Sequence, residues 1–147
     1  MKDKKSFIIR RLTWEDVDKI NKIQKLRGFK EISIQDLDNN NWILYGALDS
    51  SGNLVGIVGI VGIYIYSRLP HNDYPNGIIA EIGSLYVMTE ARGNNLGCKL
   101  VNTILGDIRK NESSIDAIVC DTTKAGYAVF KKCGFIESTE HRQWIQL

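Results

Sequence analysis

The sequence predicts one α/β domain over residues 1–147, a mixed sheet with elements in the order β-α-α-β-β-β-α-β-α-β. Three observations carry this reading. A length of 147 residues fits one domain of roughly 100–200 residues. With 44% apolar and 24% charged residues, the chain can bury a core and is not broadly disordered. The hydrophobic period also changes along the chain. Strand-length apolar runs dominate before Arg92, whereas Leu96, Leu100, Ile104 and Ile108 recur every four residues after it. No internal repeat, low-complexity segment or linker divides the chain.

Each element has a local cause. Residues 6–10 read as a first strand. Thr13-Trp-Glu-Asp16 then opens a helix with Thr13 as N-cap, and Trp14, Val17, Ile20, Ile23 and Leu26 form its apolar face. Residues 33–41 suit a short second helix ending at Asn39-Asn40-Asn41. Residues 42–48 and 54–66 read as strands joined by the turn Asp49-Ser-Ser-Gly52-Asn53. Gly56, Gly59 and Gly62 recur at spacing three in a structure of period two, so they predict a bulge or a close backbone approach. Residues 68–77, with both prolines, form a loop before a strand at 78–88. A helix over 94–110 carries the four-residue period, with Val101 and Leu105 beside it. A strand at 115–121 precedes a helix at 125–133, with Gly134 as its C′ residue. Residues 135–147 hold the last strand or hairpin.

Composition excludes several classes of function. Net charge is +2, which gives no support to a generic nucleic-acid binder. Cys98, Cys120 and Cys133 contain no C-x-x-C, and only His71 and His141 could join them as ligands, so no metal site is expected. An odd cysteine count suits a reduced, cytoplasmic protein. The basic start, with few apolar residues before Arg10 and Arg11, is not a signal peptide. The longest apolar stretch, residues 54–66, is Gly-interrupted and shorter than the ~20 residues of a membrane span.

The stretch from Glu81 to Cys98 carries the chemistry. It runs strand, turn, glycine-bearing loop, helix, an arrangement that sets backbone N–H groups and the positive end of a helix dipole toward an anion. Gly93 and Gly97 carry no side chain to keep a phosphate from those amides, and Arg92 adds charge at the edge. An ordinary strand-to-helix turn would use glycines in the same way. The spacing is not the G-x-G-x-x-G of a dinucleotide fold, and the absence of Gly-Lys-Ser/Thr excludes a P-loop.

Arg92-Gly93-Asn94-Asn95-Leu96-Gly97 resembles the acyl-CoA pyrophosphate loop of the GNAT superfamily of N-acetyltransferases, Arg/Gln-x-x-Gly-x-Gly/Ala. Leu85-Tyr86-Val87 is similar to the strand that lines the pantetheine arm. Ala125-Gly-Tyr-Ala-Val-Phe-Lys-Lys-Cys-Gly-Phe135 resembles the family helix Ala-x-x-x-Tyr-x-x-x-Gly-Phe. The element order also matches, over nearly the whole chain. Three positions depart from the pattern. Asn95 replaces the central glycine, and it tolerates a left-handed backbone better than other side chains do. Thr123 replaces an asparagine before the second helix and can still cap, with shorter reach. Phe130 stands where a tyrosine often protonates the departing thiolate.

The resemblance implies transfer of an acetyl group from acetyl-CoA to a primary amine. Leu85, Tyr86, Val87, Arg92, Gly93, Asn94, Asn95, Leu96, Gly97, Cys98, Thr123 and Phe130 would line the CoA site. Such a reaction needs a base, because an ammonium cannot attack a thioester, and a donor aimed at the developing oxyanion. Glu81, eleven residues before Arg92, matches the glutamate base of the histone-acetylating branch. A salt-bridged strand carboxylate is its plainer reading. The N–H of Val87 is the candidate oxyanion donor. Tyr127, on the same helix as Phe130, is the candidate replacement acid, with Tyr86 a weaker one and packing an alternative for both. His71 lies in the loop near which acceptors enter related folds.

Charge is unevenly distributed. Residues 1–31 carry ten basic and five acidic groups, residues 32–90 one basic and six acidic, and residues 91–147 eight basic and six acidic. The acidic middle borders the acceptor side in this superfamily, so a cationic small molecule or peptide amine is the expected acceptor. Two other readings stand beside this one. One is a CoA-binding sensor without turnover, given Asn95 and Phe130. The other is an RNA-directed acetyltransferase docking through residues 2–11. No membrane partner is expected, and the chain is a monomer or homodimer.

Overall fold

The computed structural model describes residues 5–38, 42–65, 75–137 and 145–146. Its elements are β1 (Ile8–Arg11), α1 (Val17–Leu26), α2 (Ile34–Leu37), β2 (Ile43–Leu48), β3 (Leu54–Ile65), β4 (Ile78–Val87), α3 (Leu96–Asn111), β5 (Ala117–Cys120) and α4 (Lys124–Lys132). The expected order is found from the first strand to the last helix. Most of the segment expected to hold the last strand (138–144 and 147), residues 66–74 with His71, and Lys2 and Lys4 of the basic segment lie outside the described residues.

The five strands form one sheet in the order β1-β2-β3-β4-β5. The first three pairings are antiparallel and β4–β5 is parallel. The parallel pairing follows from the α3 crossover, since antiparallel neighbours need only a turn. At the β2–β3 hairpin that turn is held by Asp49, whose Oδ1 accepts from the N–H groups of Ser51 and Asn53, both at 2.9 Å.

Each face of the sheet buries its own cluster. On one face α3 lays Leu96, Leu100, Val101, Ile104, Leu105 and Ile108 against Ile43, Val58, Ile60, Ala80 and Ile82, and α4 adds Phe130. These six α3 residues are the ones the four-residue period selects. On the other face Ile20 and Ile23 of α1 meet Leu12, Leu44, Leu48, Leu54 and Ile57. Trp14 and Leu26 do not join the expected apolar face of α1, being 56% and 64% exposed. Trp14 lies in a separate 3₁₀ turn (Trp14–Asp16), whose tighter winding takes it off the α-helical stripe. Asp16, buried, closes that turn: its carboxylate accepts from the Thr13 N–H at 2.9 Å and from Arg10 at 2.7 and 2.8 Å.

The bulge expected from the β3 glycines is present. Gly59 pairs with Ser84, Ile60 with Ile82 and Gly62 with Glu81, which leaves Val61 and Gly83 as extra residues on their strands. A Cβ on Gly83 would run into the Val61 side chain, so glycine is required there by close approach. The bulge also changes the facing of β4. Ala80 and Ile82 belong to the α3-side cluster before it, Leu85 and Val87 after it. Glu81, Ser84 and Tyr86 therefore share the opposite face, which an unbroken period of two would not allow.

Candidate active site

The site forms where β4 and β5 part. Their parallel pairing runs from Ile79 with Ala117 to Ile82 with Cys120, and among the described residues no strand pairs with that edge of β4 beyond Ile82. Gly83–Val87 is thus hydrogen-bonded to β3 alone. Gly56 and Val87 face each other as a non-hydrogen-bonded pair, because the next N–H along, that of Met88, donates to the Val55 carbonyl at 2.8 Å. The Val87 N–H and carbonyl consequently point away from β3, into the gap. Leu85, also in register with a β3 residue (Val58), points its N–H the same way by the two-residue alternation. The Val87 carbonyl is taken by Arg92, whose Nε donates to it at 3.0 Å. The Val87 N–H is left pointing into the gap without a strand partner among the described residues.

Beyond β4 a 3₁₀ turn (Thr89–Ala91) leads into the loop. Gly93 has φ +86°, and nothing lies within 4 Å of where its Cβ would be. That positive φ is a conformation glycine adopts without strain. Asn94 braces the loop, its Nδ2 donating to the Ala91 carbonyl at 2.9 Å. Asn95 adopts the left-handed conformation expected of it, φ 58° and ψ 26°, and makes no side-chain capping bond to α3. The first N–H groups of a helix have no intrahelical acceptor, so those of Leu96, Gly97 and Cys98 remain for an anion, with the helix dipole behind them. A Cβ at Gly97 would meet Val129 of α4 at 3.4 Å, an ordinary contact distance.

The remaining predicted residues fall in three places. Leu96 and Phe130 have buried side chains in the core, Phe130 packed edge-on against Phe135 at 5.1 Å. Only the backbone of Leu96 can meet a ligand. Thr123 caps α4, its Oγ1 accepting from the Gly126 N–H at 3.2 Å. Cys98 is half-buried, with the Cys133 Sγ 3.9 Å from its carbonyl oxygen. Tyr127 is exposed, and hydrogen bonding to Glu137 together with that carboxylate's charge raises its phenol above the ordinary 10.0, weakening it as an acid. Glu81 is half-buried and lies between Gly62 of β3 and Val119 of β5. Tyr86 stands on the same face as Glu81, with the Arg92 guanidinium 6.0 Å from its ring centroid.

A contact beside β4 lies outside the expected set. Arg27, the C-cap of α1, reaches across to β4, where its Nη1 donates to Ser84 Oγ at 2.8 Å. A lone arginine at a helix C-terminus reads as a solvated partner of the helix dipole. The available signal was Phe29 two residues on, an aromatic that gives a guanidinium something to stack against. Two carboxylates of the acidic middle segment also close turns. The Asp36 carboxylate accepts from Ser33 N–H and Oγ at 2.7 and 3.0 Å, and that of Asp49 holds its turn; both pKa values fall for that reason. No helix among the described residues is long and apolar enough to cross a membrane.

Comparison with known proteins agrees with this geometry. The family model described as acetyltransferase (GNAT) family matches residues 9–135. A predicted acetyltransferase from Clostridium acetobutylicum, crystallised with acetyl-CoA, superposes with TM-score 0.74 at 20% identity, covering 97% of this chain and 96% of that one. A ribosomal-protein-alanine N-acetyltransferase from Brucella melitensis biovar Abortus 2308 gives 0.72 at 16% identity, covering 97% and 100%. An aminoglycoside acetyltransferase from an uncultured soil metagenomic sample gives 0.66 at 20% identity, covering 96% of each chain. At these identities the structural likenesses establish fold alone. Comparison with curated proteins by sequence finds no match. From the family match over most of its length, and from the fold those structures share with it, the chain belongs to the GNAT acetyltransferase family.

Proposed function

We propose that the protein is an acetyl-CoA-dependent N-acetyltransferase that transfers the acetyl group to a primary amine by direct attack on the thioester. The observation that carries this reading is the open edge of β4, with the Val87 N–H aimed into the gap and leading to the uncapped start of α3. Leu96, Gly97 and Cys98 N–H groups, with Arg92 nearby, would take the pyrophosphate. The free edge at Leu85 and Val87 would take the amide-bearing pantetheine arm as a strand takes a partner.

Glu81 accepts the proton of the attacking ammonium, directly or through water. The amine nitrogen forms its bond to the carbonyl carbon while the Val87 N–H holds the oxyanion. The carbon–sulfur bond then breaks as the bonded nitrogen releases its second proton to solvent, and the leaving thiolate takes a proton from solvent. A thiol of ordinary pKa, about 8–9, leaves without a dedicated acid. That suits a chain with Phe130 at the usual tyrosine position and Tyr127 weakened by Glu137. The buried Phe130 also keeps a second reading, a CoA-binding sensor without turnover.

Incubation with acetyl-CoA and a panel of polyamines, aminoglycosides and peptides separates the two. The enzyme reading expects acetylated product and free thiol in equal amounts. It also expects Glu81→Gln to lower kcat by about 10²–10⁴-fold, most at low pH, with acetyl-CoA affinity unchanged. Tight CoA binding without acetylation of any acceptor would favour the sensor.

A further inference from the structure

Arg27 is a charged group near the reacting centre that the chemistry above does not use. Its guanidinium carbon lies 4.4 Å from the Phe29 ring centroid and 5.0 Å from that of Tyr86, and its Nη1 bonds Ser84 at 2.8 Å. Ring contacts engage the flat face of a guanidinium, while hydrogen bonds leave from its edge. Of five N–H donors, the bond to Ser84 uses one. Among the described residues no carboxylate pairs with Arg27, whereas Arg10 spends its fork on Asp16 at 2.7 and 2.8 Å. Desolvation beside these groups lowers the Arg27 pKa from its ordinary value, the mark of a cation held out of water without a counter-charge.

The position is as telling as the charge. The bulge at Gly83 puts Ser84 and Tyr86 on the same face of β4 as Glu81. Ser84 precedes Val87 by three residues, a span of about 10 Å along a strand. A fixed cation at that distance from the oxyanion donor reaches a second group on the molecule whose amine is attacking.

We infer that Arg27 is an acceptor-specificity residue, binding a carboxylate or phosphate carried by the amine substrate. The inference rests on the acetyltransferase reading and narrows it. The acceptor is an amine that also bears an oxyanion, not a polycation. Ser84 and the two rings hold the fork in place, and the carboxylate or phosphate takes its remaining donors.

Matched acceptors differing only in the anion test this: lysine against cadaverine for a carboxylate, and glucosamine 6-phosphate against glucosamine for a phosphate. In at least one pair, kcat/KM for the anionic member should exceed that of its neutral or cationic partner about tenfold or more. The pair that shows the preference identifies the anion. Arg27→Gln should abolish the preference by slowing only the anionic member, and Arg27→Lys should restore part of it. Calorimetry of the same four compounds, with CoA present and absent, reads the preference without turnover. Equal use and binding of both members of each pair, or a preference that survives Arg27→Gln, overturns the assignment of Arg27. Failure to bind CoA, with anion preference intact in the absence of CoA, overturns the acetyltransferase reading alone.

Discussion

The two longer helices on the α3 side of the sheet begin in opposite ways. Thr123, before α4, has an extended backbone (φ −74°, ψ 167°), so its side chain swings back over the first turn and accepts from Gly126. Asn95, before α3, is left-handed and makes no such bond, although asparagine is among the best capping residues. Backbone conformation, not residue type, decides whether a helix satisfies its own first N–H groups. One helix is closed for stability and the other is left open toward the gap between β4 and β5. α1 adds a third case, since the turn before it is closed by Asp16, an anion of the chain's own.

The contrast is broken most strongly by putting charge into the open end. Gly97→Glu is expected to weaken acetyl-CoA binding about 100-fold or more by charging the anion site. Gly97→Ala separates charge from packing, because its Cβ would meet Val129 at an ordinary contact distance of 3.4 Å, and it should bind nearly as wild type. Calorimetry on both variants measures this.

Removing the anion from the turn before α1 should cost stability instead. Asp16→Asn is expected to lose about 2 kcal/mol in denaturant unfolding at pH 7, the worth of a buried charge-assisted pair. Arg10 lowers the Asp16 pKa below 3.8 through its hydrogen bonds. The sign follows: this stability is present above about pH 3.8 and is lost as pH falls through the lowered folded-state value. The acid limb of the stability profile should flatten in Asp16→Asn.

Asn95→Asp sharpens the comparison, because its two effects oppose. A carboxylate at the start of α3 should raise stability by about 0.3–1 kcal/mol through the dipole while weakening acetyl-CoA roughly tenfold. Thr123→Ala should lose about 1 kcal/mol of stability, with a smaller effect on acetyl-CoA affinity than Asn95→Asp.

Much of this is legible in the sequence. The period of Leu96, Leu100, Ile104 and Ile108 marks α3 and its buried stripe because one helix face meets one sheet face. The loop was legible through Arg92 and Gly93, and the conformation of Asn95 through its tolerance of positive φ. What was hidden depends on partners distant in the chain. The spacing of Gly56, Gly59 and Gly62 announces an irregularity. That it turns Glu81 to the same side as Ser84 depends on Val61 meeting Gly83 across the strands. Arg27 is 57 residues from Ser84, and no local pattern joins them. A composition also does not show which carboxylates close turns while keeping their charge, as those of Asp36 and Asp49 do.

Backbone amide NMR during a titration with acetyl-CoA tests the central claim most directly. The account predicts saturable shifts at the N–H groups of Leu96, Gly97 and Cys98 and at those of Leu85 and Val87, with Gly126 behind its Thr123 cap unmoved. Saturable binding that leaves the start of α3 and the open edge of β4 unperturbed, or no binding at all, would contradict it.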